Sequence, residues 1–254
     1  MPSTKEITVP AFTTLTVTET KLLLREPITA FFALAFAPML LVILGLVPAL
    51  READPELGGA RAIDRYLPIL VAMGVAMFAL SGLSQLFASY REKGVLRRLR
   101  TTPVAPGTMI GAQLAMALGL SVITLLLMLV LGRWAFDVRL PERPVAYLLS
   151  FLLIALAMFA CGLFVAAFAP NTKAASAIGT LTFFPLIFFA GLWVPRTAMN
   201  DVLRTISDLT PLGAGVQSLQ DAAAGEWPHL LHLGVLVGWT VVAGGLAARY
   251  FRWE

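Results

Sequence analysis

Two histidines three residues apart, His229 and His232 in "HLLH", are the only histidines of this 254-residue chain. On a helix, that spacing puts two imidazoles on one face, where they could share a metal ion. Catalysis would also need a third ligand, a paired carboxylate or a nucleophile within reach. No carboxylate or thiol stands beside them in their apolar segment, so they read as interfacial histidines at the start of a helix. No G-x-x-x-x-G-K-[ST] phosphate loop occurs, and the one Lys-Gly pairing, Lys93-Gly94, has the wrong order. The sequence thus predicts no catalytic residue, metal or cofactor on this chain. Cys161, the only cysteine, lies in an apolar stretch and has no intrachain partner for a disulfide.

The remaining concentration of chemistry is "REKGVLRRLR", residues 91–100, with five basic side chains and one acid in ten positions. As a helix it would set Lys93 near Arg97 and Arg97 near Arg100, like-charge pairs that each cost a few tenths of a kcal/mol. It would also gather Val95, Leu96 and Leu99 into a narrow apolar stripe. Something acidic outside the segment must compensate. Anionic lipid would do so for any basic loop, whereas an acidic protein groove would use the stripe as well. Both readings stay open at this point.

The elements that position this segment follow from composition. The chain is 58% hydrophobic and 13% charged, against about 25% charged in a soluble domain, and its mean hydropathy is +0.82. No Asp, Glu, Lys or Arg occurs in 27–50, 66–90, 101–132, 144–172, 174–195 or 227–248. A helix needs about 20 apolar residues to cross the bilayer, so the sequence predicts six spans, at about 28–50, 66–90, 108–131, 145–169, 174–194 and 228–248. Residues 1–254 read as one transmembrane domain, with too little sequence outside the spans for a soluble core. The first apolar run is longer than a signal-peptide core and has no small-residue cleavage site after it, so no cleaved leader is expected. No span holds an ionisable residue other than histidine, which argues against a proton relay or charge-coupled transporter. The pI near 9.6 comes from groups flanking the spans; the expected partners are membrane lipid and protein, not nucleic acid.

Six spans put both termini on one side. Placed in the cytoplasm, that side holds eleven basic residues against eight outside, concentrated in 91–100. "GTMIG" (Gly107 to Gly111) and "GVLVG" (Gly234 to Gly238) predict close helix packing, within the chain or between subunits. Pro38 and Pro185 predict kinks. In 197–209, Met199, Val202, Leu203, Ile206 and Leu209 fall at helical spacing, and Pro211 ends the run. A second short helix over 212–224 completes a hairpin dipping into the outer leaflet. Residues 11–26 alternate partly like a strand, but an interfacial helix is the preferred reading.

Phe31, Phe32, Phe36 and Met39 mark the first span, Met73 and Met77 the second, and Phe183, Phe184 and Phe188 the fifth. Flexible methionine and aromatic bulk suit a greasy substrate path, and equally suit lipid or neighbouring helices.

These features together resemble the type-two ABC exporter permeases, nearest to the membrane subunit of daunorubicin-resistance exporters. The residues that carry the likeness are "REKGVLRRLRTTPVAPGTMIGAQ" (91–113), "LLLREPITAFF" (22–32) and "FFAGLWVPRTAMNDVLRTISDLTPLGAGVQSL" (188–219). The resemblance implies an all-α membrane protein of six transmembrane helices. An N-terminal interfacial helix, a cytoplasmic coupling helix and an extracellular helical hairpin before the sixth span would accompany them. It also implies a second permease subunit, as homodimer or heterodimer, and two ATP-binding subunits that carry the ATP and magnesium. By this likeness Arg91, Glu92, Lys93, Gly94, Val95, Leu96, Arg97, Arg98, Leu99 and Arg100 contact the ATPase, and Leu22, Arg25 and Glu26 belong to the interfacial helix beside it. Substrates of the group are amphipathic drugs, antibiotics and lipids, while sister branches export polysaccharides. No tryptophan falls in the first four spans, so there is no aromatic track for sugars there, and drugs or lipids are favoured. A membrane anchor that transports nothing is the other class of reading.

Overall fold

A computed structural model describes residues 4–53, 59–94 and 106–250 of the chain, with backbone alone for 4–11 and 106. The described residues form helices and no named strand: α1 (Thr4–Arg25), α2 (Pro27–Gly45), α3 (Ala62–Glu92), α4 (Pro106–Phe136), α5 (Pro144–Phe168), α6 (Thr172–Phe189), α7 (Asp201–Leu209), α8 (Pro211–Ala223) and α9 (Leu230–Tyr250). Six of them, α2 to α6 and α9, are long and apolar enough to cross a membrane. They coincide with the six charge-free windows to within a few residues. The largest differences are that α2 stops at Gly45, ahead of Pro48, and α6 stops at Phe189, ahead of the left-handed Gly191. In the other direction α3 runs past its window, taking in Asp64 and Arg65 at one end and Arg91 and Glu92 at the other.

Local chemistry sets the helix ends. Pro27, Pro144 and Pro211 occupy first turns, where the missing N–H costs nothing. The Oδ1 atoms of Asn171 and Asn200 accept from Ala174 and Leu203, at 2.8 and 2.9 Å, caps worth about 1 kcal/mol each. Pro211 both follows the end of α7 and opens α8 behind its cap, Thr210.

α1 is helical in spite of its threonines and two valines, which favour strands. Thr16 and Thr20 donate their hydroxyls to the carbonyls of Phe12 and Thr16, so their polar groups are satisfied within the helix. Packing along α4 supplies the rest, with Phe12 so close to Gly111 that a Cβ there would meet its ring at 3.3 Å.

α3 and α5 form the centre: 83% and 61% of their most apolar windows are buried, against 28% for α2, 17% for α6 and 22% for α9. The close backbone approaches occur at glycines outside the two G-x-x-x-G motifs. A Cβ on Gly162 of α5 would sit 2.2 Å from the Ala79 carbonyl, and one on Gly179 of α6 would sit 2.2 Å from that of Leu80. Both carbonyls lie in a π-helical stretch of α3, Phe78–Leu83, and a second such stretch, Phe31–Ala35, interrupts α2. By contrast Gly107, Gly234 and Gly238 meet nothing within 4 Å. Among the described residues, Gly111 alone of the four motif glycines packs closely within the chain, against the Phe12 ring, and neither motif makes a backbone-to-backbone approach.

The hairpin of α7 and α8 sits at one end of the bundle, and its two helices pack differently. α8 is core: Leu212, Val216 and Leu219 are fully buried, and Gln220 donates to the Arg65 carbonyl of α3 at 3.3 Å. α7 turns its polar face inward. Ser207 is buried and donates to the Phe189 carbonyl at 2.6 Å, Arg196 forks onto Asp208 at 2.6 and 2.5 Å, and Val202, Ile206 and Leu209 are left exposed. Asp208 also lies 3.3 Å from Nε2 of His232, which is 6% exposed. A carboxylate thus reaches one of the two histidines from outside their segment, from a helix 24 residues upstream that spacing alone could not place. Among the described residues no cluster of three or more His, Cys, Asp or Glu could hold a metal.

Candidate functional site

At the opposite end of the bundle, α3 runs toward the basic segment. Val95, Leu96, Arg97, Arg98, Leu99 and Arg100 lie outside the described residues; Arg91, Glu92, Lys93 and Gly94 lie within them. Gly94 adopts φ +65°, the left-handed conformation that ends a helix at little cost for glycine.

Arg91 and Glu92 grip the turn between α5 and α6 from its two sides. The Arg91 guanidinium donates to the carbonyls of Ala166, at 3.3 Å, and Ala169, both at the C-terminus of α5. Glu92 accepts from the amide of Thr172 at 3.0 Å and from its hydroxyl at 2.5 Å, at the N-terminus of α6. Each charge meets the helix end of opposite partial charge. The exit of α3 is thereby fastened to α5 and α6 together.

The next residue back, Tyr90, joins α3 to α1 and α4. Its hydroxyl donates to the carboxylate of Glu19, which is 8% exposed, and accepts from Nε2 of Gln113 at 3.4 Å. Gln113 is fully buried, and its Oε1 has no partner. A displacement of the end of α3 must pull on these groups or break them.

Behind Tyr90 a cavity of about 590 Å³ opens between α1, α2, α3 and α6. One wall is apolar, with Leu22, Leu23, Ile28 and Phe32. The α3 wall carries Ser81, Gln85 and Ser89, four residues apart and so on one helix face. Glu19, Glu26 and Lys93 are the charged groups of its lining. Phe32, Phe78, Ser81 and Gly82 come from the two π-helical stretches, distortions that are frequent where helices serve a site. A volume of this size suits a drug-sized ligand.

Of the residues proposed for a substrate path, Phe32 and Met77 line this cavity. Phe31, Met39 and Phe184 are exposed on the outer surface of the chain, Met73 is 2% exposed within the core, and Phe36, Phe183 and Phe188 are partly buried. Of the residues assigned to the interfacial helix, Leu22 and Glu26 line the cavity, whereas Arg25 is exposed and is not among its lining residues. Glu19, Tyr90 and Gln113 escaped the reading by residue type. The polar series Ser81, Gln85, Ser89 in a charge-free span was the signal available for them.

No curated protein matches the chain in sequence. A family model does: that of the ABC-2 type transporter, over residues 10–223. The match takes in α1, the clamp, the cavity walls and the hairpin, and it implies an ABC ATP-binding partner. The chain belongs to the ABC-2 type transporter family and is a multi-pass membrane permease of an ABC transporter.

Proposed function

We propose that this permease serves an ATP-driven exporter that moves an amphipathic or hydrophobic substrate (a drug, an antibiotic or a lipid) out of the cytoplasm. A separate ATP-binding subunit, present in two copies, hydrolyses the ATP with its magnesium, and a second permease subunit, identical or related, completes the path. The end of the bundle bearing Arg91 faces the cytoplasm of a bacterial cell, with both termini on that side. Residues 91–100 dock on the ATPase, and α1 lies in the interface beside them.

The observation that carries this reading is the clamp. The basic segment follows a helix end that Arg91 and Glu92 fasten to α5 and α6, and α3 and α6 also wall the cavity, which supports a role for this end of the bundle in coupling. A membrane anchor that transported nothing would not need such a cavity.

The test is transport. The chain and its ATP-binding partner, in inside-out vesicles, should accumulate a fluorescent amphiphile only with ATP and magnesium. Accumulation should stop with vanadate. Equal accumulation with an ATPase lacking its catalytic glutamate would overturn the reading.

A further inference from the structure

The cavity at the cytoplasmic end has an electrostatic character that the exporter reading alone does not specify. Ser81, Gln85, Ser89 and Ser176 line it, and none makes a side-chain hydrogen bond among the described residues. Polar groups facing inward from an apolar helix, without protein partners, are left for water or ligand. At the mouth stand Glu19 and Glu26, seven residues apart and so on one side of the α1–α2 run. Against these two carboxylates the described residues of the lining offer one cation, Lys93. Neither glutamate forms an ion pair among the described residues: Glu19 is held by Tyr90, and Glu26 accepts from the Thr29 hydroxyl at 3.2 Å. The deeper part carries no charge and is bounded by Phe32, Met77 and Phe78. Aromatic faces there add attraction for a cation that comes close.

We propose that this cavity receives amphiphiles with a positively charged head, the head lying between Glu19 and Glu26 and the apolar part against Phe32 and Phe78. The inference rests on the exporter reading for its purpose, while its geometry concerns binding alone. Leu22, Leu23, Glu26 and Ile28, from either side of the α1–α2 junction, line the cavity; on the proposed topology this junction lies on the cytoplasmic side, where a lipophilic cation partitioned into the inner leaflet reaches the carboxylates. An anionic amphiphile meets two carboxylates against one ammonium among the described lining residues and is disfavoured.

Equilibrium binding tests this without turnover. The chain with its ATP-binding partner, in nanodiscs of phosphatidylcholine and without nucleotide, is titrated into rhodamine 6G, a cation, and fluorescein, an anion with a similar ring system. Rhodamine 6G should bind about tenfold or more tightly than fluorescein, since each nearby charge contributes about five- to tenfold. Glu26→Gln, at an exposed position where the amide oxygen can still accept from Thr29, should weaken rhodamine 6G severalfold, and Lys93→Gln should strengthen it. No rhodamine 6G binding, equal binding of fluorescein, or indifference to both substitutions overturns the proposal. Charge-dependent binding without ATP-driven accumulation would sink the exporter reading and leave this one standing. Accumulation indifferent to charge would do the reverse.

Discussion

Glu92 accepts two hydrogen bonds from Thr172, one from its amide and one from its hydroxyl, and so ties the end of α3 to the first turn of α6. The contact joins residues 80 positions apart, beside the segment proposed to meet the ATPase. Replacing Glu92 by Gln keeps the size of the side chain but removes the charge that faces the helix N-terminus. Paired with Thr172→Val, it should leave membrane insertion and ATPase co-purification unchanged while substrate-stimulated ATP hydrolysis falls severalfold. Stimulation at the wild-type level in the double variant would show that force does not pass through this contact.

The glycines that touch the π-helical stretch of α3 give a stability prediction. Gly162→Ala forces a methyl group against the Ala79 carbonyl, and backbone has no rotamer with which to yield. Overpacking of this kind costs about 1–3 kcal/mol, so the thermal midpoint in detergent should drop clearly. Gly238→Ala, where nothing lies within 4 Å, should leave the isolated chain unaffected. Equal midpoints for the two variants would refute the distinction drawn between these glycines.

How much could be read from the chain beforehand differs from element to element. The six long helices were legible because a charge inside a span is expensive, so each window marks its helix within a few residues. The hairpin was legible as two helices through Pro211 and the spacing of Val202, Ile206 and Leu209. Its orientation was not: the apolar stripe faces outward, because Ser207 and Asp208 find partners inside. The clamp was half legible. Arg91 and Glu92 were marked by their place in a basic run, but their partners are two main-chain carbonyls and one threonine, which carry no signature. Nothing in residue type announces a π-helical stretch, and the cavity walls depend on two of them.

Asp221 of α8 supplies a pH prediction. Burial raises its carboxyl above the ordinary Asp value, against the pull of His232 and an amide bond from His229, and its Oδ2 has no partner. The folded state then holds this proton more tightly than the unfolded chain does. Its contribution to stability is present below the unfolded pKa, about 3.9, and is lost as pH rises through the folded value. Asp221→Asn should therefore stabilise the protein at pH 7, on the order of 0.5 kcal/mol because the group stays partly solvated. The gain should vanish below about pH 4. A variant less stable than wild type at pH 7 would contradict this assignment.

The orientation of the bundle is open to direct labelling. In a chain carrying Cys161→Ala, a membrane-impermeant thiol reagent applied to intact cells should label Val202→Cys, which lies on the exposed face of α7. It should spare Arg98→Cys until the cells are opened. Labelling of position 98 in intact cells would invert the topology, and with it the assignment of 91–100 to the cytoplasm.

The basic segment itself is tested by leaving its charges alone. Gly94 ends α3, so a helix in this segment must begin after it; such a helix gathers Val95, Leu96 and Leu99 into one stripe, and the like charges Arg97 and Arg100 oppose it by a few tenths of a kcal/mol. A lipid surface offsets the charges at about 1 kcal/mol each and has no use for the stripe. A groove on the ATPase needs both, since burying two aliphatic side chains contributes about 1.5–3 kcal/mol apiece. Val95→Ser with Leu99→Ser keeps every basic group, so topology and insertion should be normal. If the segment docks, the double variant should lose most of its ATPase in a pull-down, and ATP-driven accumulation with it. Lysine-for-arginine exchange at Arg97 and Arg98 should preserve both, because charge is kept and the stripe is untouched. Normal recovery of the ATPase by the serine variant would reduce the segment to a topology signal and require the ATPase to hold this permease elsewhere.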